Sequence, residues 1–200
     1  MAALGADFLT LSAHKLGGPK GVGALVLGGD LPIAAQAKGG GQERSRRAGT
    51  ENLAGIAGFG AVAALAPNSI ADQPRLAALR ERLEAGVRRL APDVIVPGDT
   101  SPRLANTSTV VLPGVPAERQ VIRLDLAGIA VSAGAACSSG KLRASPVLGA
   151  MGYPAELAAC AIRVSLGWAS ADSDVDRFLE AFGDLAKARA DTDLNLEPAA

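Results

Sequence analysis

The chain begins with two apolar segments of strand length that are separated by a polar, glycine-rich turn. The first segment ends in Ser12-Ala13-His14-Lys15, the turn contains Gly17-Gly18-Pro19, and apolar residues resume at Val22. Short apolar runs bounded by turn residues predict buried strands. Open α/β sheets bind ligands at the carboxyl ends of their strands. We therefore expect an α/β fold in which Lys15 follows a buried strand and faces a ligand site.

Lys15 has two interpretations from the local sequence. An amine held against apolar walls loses its proton more readily and can attack a carbonyl, as Schiff-base chemistry requires. A solvated turn lysine is the alternative, and the local residues alone favour it because lysine side chains are rarely buried. Features further along the chain are needed to decide between the two.

A glycine- and arginine-rich loop follows the second apolar segment. Gly39-Gly40-Gly41 allows backbone conformations that other residues avoid, and three arginines together with Thr50 supply hydrogen-bond donors for a phosphate or a carboxylate. A flexible solvated loop is the alternative, since such sequences are common. Asn52 or Thr50 is expected to cap a helix that ends near Pro67-Asn68, which we take as the domain boundary.

Charge balance and hydropathy argue against nucleic-acid and membrane partners. The chain has 20 basic and 20 acidic residues, and the helix predicted from Gln73 to Leu90 carries arginines without interleaved aromatic residues. The amino terminus has no signal-peptide pattern, and we expect no stretch that is long and apolar enough to cross a bilayer. The sequence therefore predicts a cytoplasmic protein.

Cys137 lies in a loop of small residues that extends from Ser132 to Gly140. A mobile, accessible thiol suits a nucleophile that reaches into a site and then presents its product to a partner. A small apolar residue in a turn is the alternative. Cys160 has apolar neighbours in a helical context, and we assign it to the core. With His14 as the only histidine, the two cysteines have no metal-ligand spacing, so no metal site is expected.

Arg163 lies in an alternating segment that predicts a strand. Ile162, Val164 and Leu166 are expected on one face, which leaves Arg163 and Ser165 on the other. A guanidinium that is held rigidly on a strand is a good bidentate binder of a carboxylate. A surface ion pair is an equally good local interpretation.

Four stretches, taken together and in this order, resemble the cysteine desulfurases of the NifS/IscS type, which belong to the class V aminotransferase group. The stretches are Ser12–Gly21, Gly39–Asn52, Ser132–Gly140 and Ile162–Gly167. The resemblance extends from about Asp7 to Phe182. It implies the end of a PLP-transferase type I large domain, similar to aspartate aminotransferase, in residues 1–67. Residues 68–200 would then form a small α+β carboxy-terminal domain.

The resemblance also implies a site for pyridoxal 5'-phosphate (PLP). Lys15 would form a Schiff base with this cofactor and later move protons at the substrate carbon. His14 and Ser12 would lie near the cofactor phosphate. Thr50 would reach the phosphate of the neighbouring subunit's cofactor, as expected for a homodimer.

L-cysteine is the substrate that the resemblance implies. Arg163 would hold its α-carboxylate, and Cys137 would attack its sulfur, leaving alanine and an enzyme persulfide. The persulfide would pass to a sulfur acceptor, such as a scaffold protein for iron–sulfur cluster assembly. This chemistry agrees with the residues themselves, since the cofactor supplies an electron sink while the protein supplies an amine, a carboxylate clamp and a mobile thiol.

Length sets this chain apart from the family that it resembles. Family members carry, before the lysine, the first strands of the large domain, an aspartate that pairs with the pyridine nitrogen, and most phosphate donors. Here Lys15 is close to the first residue, so we expect unpaired strand edges and uncovered apolar faces. The alternatives are a non-catalytic or split-enzyme fragment that dimerises or binds a scaffold, and a related lyase acting on selenocysteine.

Overall fold

The computed structural model describes residues 1–134 and 145–194, and the chain forms two compact units. Unit 1 is Met1–Ile70 and unit 2 is Ala71–Ala200. Unit 1 contains a two-stranded sheet and unit 2 a three-stranded sheet, and both are antiparallel. The two units differ in how much apolar surface they bury, because the buried clusters among the described residues belong to unit 2.

Unit 1 is built on a pair of strands joined by a tight turn. β1 (Phe8–Ser12) pairs with β2 (Gly23–Leu27). The 3-10 helix Ala13–Leu16 connects them and ends at Gly17, whose φ of 85° lies in the left-handed region that glycine tolerates. The remaining helical segments of this part of the chain are a 3-10 turn at Ala2–Leu4, a single turn α1 (Gln42–Ser45), α2 (Leu53–Ala64) and α3 (Ala66–Ala71).

The strand before Lys15 is exposed, which corrects the prediction of a buried strand. Phe8 is 53% exposed, and Leu25 on the paired strand is 50% exposed. Among the residues of unit 1 whose burial is described, only Ala13 and Gly55 are buried. The physical reason is that β1 and β2 form a sheet of only two strands, so most of their apolar side chains contact solvent. The expected uncovered apolar faces are therefore present.

The helical stretch Leu53–Ala71 corrects the expectation that no segment could cross a membrane. It has 19 residues and a mean hydropathy of 1.5, which is enough by length and composition, and 6% of it is buried. The sequence has no charged residue in this stretch. The helix was expected to end near Pro67, but a further helical segment begins at Ala66 and includes Pro67. Core helices of water-soluble proteins can be equally long and apolar. The cytoplasmic location and the absence of a membrane partner therefore stay predictions.

Unit 2 contains a three-stranded antiparallel sheet with β5 at its centre. β5 (Ala161–Ser165) pairs with β3 (Thr107–Val111) on one side and with β4 (Ser132–Ala133) on the other. The strand predicted around Ile95 is present only as a single bridge to Val111. The helices of this unit are α4 (Gln73–Leu90), α5 (Ala117–Leu126), α6 (Pro146–Ala150), α7 (Ala155–Ala158) and α8 (Asp172–Leu194).

The main core of unit 2 lies between one face of the sheet and the helices α4, α5 and α8. The apolar face predicted for α4 is confirmed at Leu76, Leu79, Leu83 and Val87, which are buried. The prediction is wrong at Leu90, which is 40% exposed. Phe182 of α8 is fully buried, and its ring stacks on that of Phe178 at 5.8 Å between centroids. The other side chains of α4, α5 and the sheet at the centre of this core are Leu79, Leu83, Val87, Leu124, Val110 and Ile162.

A second, smaller cluster covers part of the other face of the sheet. It contains Val111 and Ala161, which are opposite each other on β3 and β5, together with Leu148 of α6. Cys160 belongs to this cluster at 7% exposure, which confirms its assignment to the core. Its thiol donates a hydrogen bond to the Glu156 carbonyl at 3.3 Å.

A buried ion pair joins α4 to the segment before β3. Glu84 is 3% exposed and accepts hydrogen bonds from both terminal nitrogens of Arg103, at 2.6 and 2.7 Å. Arg80, one turn earlier on α4, lies 3.8 Å from the same carboxylate. Burial raises the pKa of the Glu84 carboxyl, but the hydrogen bonds from Arg103 and the two positive charges outweigh it and leave this pKa below its usual value.

Gln120 of α5 ties the helix to two backbone segments. Its side chain is fully buried, and Nε2 donates to the Val115 and Cys160 carbonyls, each at 2.7 Å. We expect Gln120→Met, which keeps the volume but removes the donor, to lower the free energy of unfolding by about 1–3 kcal/mol, because both carbonyls lose a partner inside the protein. Urea unfolding of unit 2 measures this, and Arg119→Met on the exposed neighbouring position should change stability by less than about 0.5 kcal/mol.

Candidate functional site

Lys15 lies in the turn between β1 and β2, and backbone hydrogen bonds fix this turn. The Ala13 N–H donates to the Val22 carbonyl at 3.1 Å, and the Gly18 N–H donates to the Ala13 carbonyl at 2.9 Å. Ala13 itself is fully buried. The turn is therefore held by its backbone and by one small side chain, which leaves the larger side chains of the turn free for other contacts.

Ser12, His14 and Lys15 are all exposed in this turn. Among residues 1–134 and 145–194, none of the three has a side-chain hydrogen bond or an ion pair. Within a few positions the chain thus offers a hydroxyl, an imidazole and a primary amine. These groups fit the attachment of a phosphorylated aldehyde such as PLP, since the amine can bond the aldehyde carbon while the other two can donate to a phosphate.

Two of the three arginines in the loop after β2 form hydrogen bonds within the loop itself. Arg46 donates to Asp30 at 3.0 Å, and Arg47 donates to the Gly49 carbonyl at 2.7 Å. Arg44 is exposed and has no hydrogen bond or ion pair within the described parts of the chain. It follows Glu43, and both have positive φ, at 58° and 50°. The loop therefore presents one unpaired guanidinium rather than the three expected.

Asn52, and not Thr50, caps α2. The Asn52 side chain accepts a hydrogen bond from the Gly55 N–H at 3.1 Å, which is the usual contact of an N-cap. Thr50 is exposed, two residues before the cap. Its hydroxyl is thus not needed for the helix and stays available to a ligand.

Arg163 occupies the middle of β5 on the face opposite the main core, as predicted. It is exposed, whereas its neighbours Ile162 and Val164 are buried in the main core. No carboxylate pairs with Arg163 among the described residues, so the ion-pair interpretation finds no support there. Its guanidinium is available for an external carboxylate.

Two residues beside Arg163 were missed by the sequence reasoning. Thr109 of β3 and Ser132 of β4 are the direct cross-strand partners of Arg163. Opposed residues of antiparallel strands lie on the same face of the sheet, so a hydroxyl flanks the arginine on each side. Strand register would have been needed to find them, and the separate segments of sequence do not reveal it.

Cys137 lies outside the described residues, five positions after Ser132 of β4 in the sequence. The structure brings Ser12, His14 and Lys15 together in one turn of unit 1. Thr50 lies elsewhere in unit 1, before α2, and Arg163 lies in unit 2.

The aminotransferase class-V family model matches residues 1–178 of the chain. A cysteine desulfurase of Sinorhizobium fredii is 47% identical over 174 residues, which cover 86% of this chain and 45% of that protein. Cysteine desulfurase IscS of Clostridium botulinum is 41% identical over 186 residues, which cover 92% of this chain and 47% of that protein. The chain thus spans less than half the length of these relatives.

The fold is shared with a solved structure of a NifS-like protein from Rickettsia africae. The TM-score is 0.82 at 37% sequence identity, and the match covers 93% of this chain and 49% of that one. The similarity in sequence therefore extends to the arrangement of the backbone.

Proposed function

This chain belongs to the aminotransferase class-V family of PLP-dependent enzymes, and from that membership we propose that it forms part of a cysteine desulfurase. The proposed reaction converts L-cysteine to L-alanine and leaves a persulfide on Cys137 for transfer to an acceptor, as in iron–sulfur cluster assembly. Similarity to two proteins named cysteine desulfurase supports this proposal most directly. The order of the lysine turn, the cysteine loop and the arginine strand along the chain agrees with it.

The chain would correspond to the carboxy-terminal part of such an enzyme. In this proposal residues 1–67 are the end of the PLP-binding large domain, and residues 68–200 are the small domain. Two observations support the division. Unit 1 leaves its apolar strands and helices exposed, as expected of a domain that is only partly present, whereas unit 2 has a core of its own.

Each site residue would have a role that its chemistry permits. Bound PLP would supply an electron sink for the bonds at the substrate α-carbon. Lys15 would attach the cofactor and move a proton at that carbon, while Ser12 and His14 donate to the cofactor phosphate. Thr50 would donate to the phosphate of a cofactor in a second subunit of a homodimer.

The substrate would be oriented by its carboxylate and attacked at its sulfur. Arg163 would form two parallel hydrogen bonds with the α-carboxylate of L-cysteine. The Cys137 thiolate would form a bond to the substrate sulfur as the carbon–sulfur bond breaks, so that the sulfur stays on the protein as a persulfide. A proton delivered to the carbon that loses sulfur would complete alanine.

A split-enzyme or dimerising fragment is the second candidate, and the exposed apolar side chains of unit 1 favour it. In that case the chain would need another polypeptide to form its cofactor site. A selenocysteine lyase is the remaining alternative, and the rates of product release from cysteine and selenocysteine would separate the two activities. Cys137 favours the sulfur enzyme, because a thiol nucleophile is what persulfide formation requires.

The proposed function is tested by incubating the purified protein with PLP and L-cysteine. We expect a visible absorption band of bound PLP, together with equal amounts of alanine and, in the presence of a thiol reductant, sulfide. Cys137→Ser should keep the band and lose the sulfide, because it removes only the sulfur acceptor. The absence of alanine and sulfide from the wild type would contradict activity of this chain alone. Their appearance only after addition of a polypeptide that supplies the rest of a relative's length would support the split enzyme.

A further inference from the structure

The outer face of the unit 2 sheet has a covered end and an open end. At the covered end, Val111 and Ala161 are buried under the smaller cluster. At the open end, Arg163 and Ser165 of β5 are exposed, and Thr109 of β3 is half-buried. The boundary between apolar and polar residues thus crosses the sheet beside the arginine.

The residues beside Arg163 on the neighbouring strands carry hydroxyls. Thr109 and Ser132 are its direct partners on the two neighbouring strands, and Thr107 is opposite Ser165 at the next outward-facing position of β5. No acidic residue occupies β3, β4 or β5. Elsewhere in unit 2, Arg82, Arg88 and Arg103 each pair with a carboxylate of the protein.

We propose that Thr109 and Ser132 are positioning residues that hold the Arg163 guanidinium between them and complete a carboxylate-binding site on the outer face of the sheet. This inference rests on the proposed function and adds two residues to it. A hydroxyl oxygen can accept from a guanidinium N–H and can at the same time donate its own proton to a carboxylate oxygen. With one hydroxyl on each side, the long arginine side chain loses less conformational freedom when a carboxylate binds.

The position of Ser132 links this site to the rest of the proposed mechanism. Ser132 lies on β4, and Cys137 follows it by five positions in the sequence. A carboxylate held by Arg163 and Ser132 would therefore lie at the strand that precedes Cys137 in the sequence. The site would discriminate in favour of amino acids over amines that lack a carboxylate.

Carboxylate binding can be measured without PLP or turnover. The side-chain N–H signal of Arg163 is followed by NMR in the full chain while sodium acetate is added, with acetamide as the uncharged control. We expect a saturable shift with acetate. Thr109→Val and Ser132→Ala should each weaken acetate binding by on the order of threefold to tenfold, since each removes a hydrogen bond to a charged group. Thr109→Ser, which restores the hydroxyl, should recover the affinity.

Matched controls lie one pair further along the same face. Thr107→Val and Ser165→Ala are the same substitutions on the same strand pair, and we expect binding within twofold of the wild type. Equal weakening by these controls, or no saturable shift at Arg163 in the wild type, would overturn the inference. Should Thr109→Val fail to fold, Ser132→Ala compared with Ser165→Ala decides the result.

Acetate binding and the formation of alanine and sulfide can fail independently of each other. Absent acetate binding in a protein that still makes alanine and sulfide would overturn the positioning roles alone. Normal acetate binding in a protein that makes no product, either alone or with a polypeptide that supplies the rest of a relative's length, would overturn the desulfurase proposal alone.

Discussion

Replacing Lys15 with alanine is expected to abolish the visible absorption band that forms when the protein is mixed with PLP. The turn that carries Lys15 is held by backbone hydrogen bonds, and its amine has no competing partner among the described residues. Covalent attachment of an aldehyde requires an accessible amine of this kind. Because Lys15 is exposed, the substitution should leave stability within about 0.5 kcal/mol of the wild type.

Lys20 provides a matched control for this experiment, because it is an exposed lysine on the same connection between β1 and β2. Lys20→Ala should keep the full band. Reduction with borohydride followed by peptide mass spectrometry should locate the cofactor adduct on Lys15 in the wild type. An undiminished band in Lys15→Ala, or an adduct on Lys20, would contradict the assignment of Lys15.

Glu84→Ala should be among the most destabilising substitutions in unit 2. The carboxylate is buried and pairs with both terminal nitrogens of Arg103, and Arg80 also lies close to it. Removing one partner of a buried pair leaves the other charge uncompensated, which costs about 3–5 kcal/mol. Chemical unfolding measures the change. Glu81→Ala on the same helix removes a carboxylate whose side chain is 70% exposed, and it should cost less than about 1 kcal/mol.

The same carboxylate makes stability depend on pH. The pKa of Glu84 in the folded protein lies below its ordinary value of 4.5, so ionised Glu84 stabilises the fold fully above that value. This contribution is lost as the pH falls through the lower pKa of the folded state. We therefore expect the stability difference between the wild type and Glu84→Gln to shrink below pH 4.5. A difference that stays constant across the acidic range would show that Glu84 is not the titrating group.

Local patterns in the sequence predicted the parts of the fold that depend on local spacing. The apolar positions Leu76, Leu79, Leu83 and Val87 define one face of α4. The alternation of apolar and polar residues along β5 correctly placed Arg163 on the face opposite Ile162 and Val164. These predictions succeeded because the periods of a helix and a strand are properties of the backbone. Membership of the class-V family was likewise predicted from four short stretches of the sequence.

The parts that failed depend on what packs against a segment. β1 was predicted to be buried from its apolar residues, but burial requires a covering element, and the sheet of unit 1 has two strands. Leu90 continues the apolar spacing of α4 at the last residue of the helix, yet it is 40% exposed, whereas Ala91 directly after it is buried in the core. The placement of Thr109 and Ser132 beside Arg163 depends on strand register, which joins residues far apart in sequence.

The exposed apolar residues of unit 1 also have a consequence for synthesis in the cell. Residues 1–70 leave the ribosome before unit 2, and among those whose burial is described only Ala13 and Gly55 are buried. A nascent segment with such a surface is prone to aggregate at the concentrations found in cells. Where no other polypeptide covers these residues, we expect chaperones to bind this segment during translation, whereas unit 2 can bury its phenylalanines and leucines as soon as it has emerged.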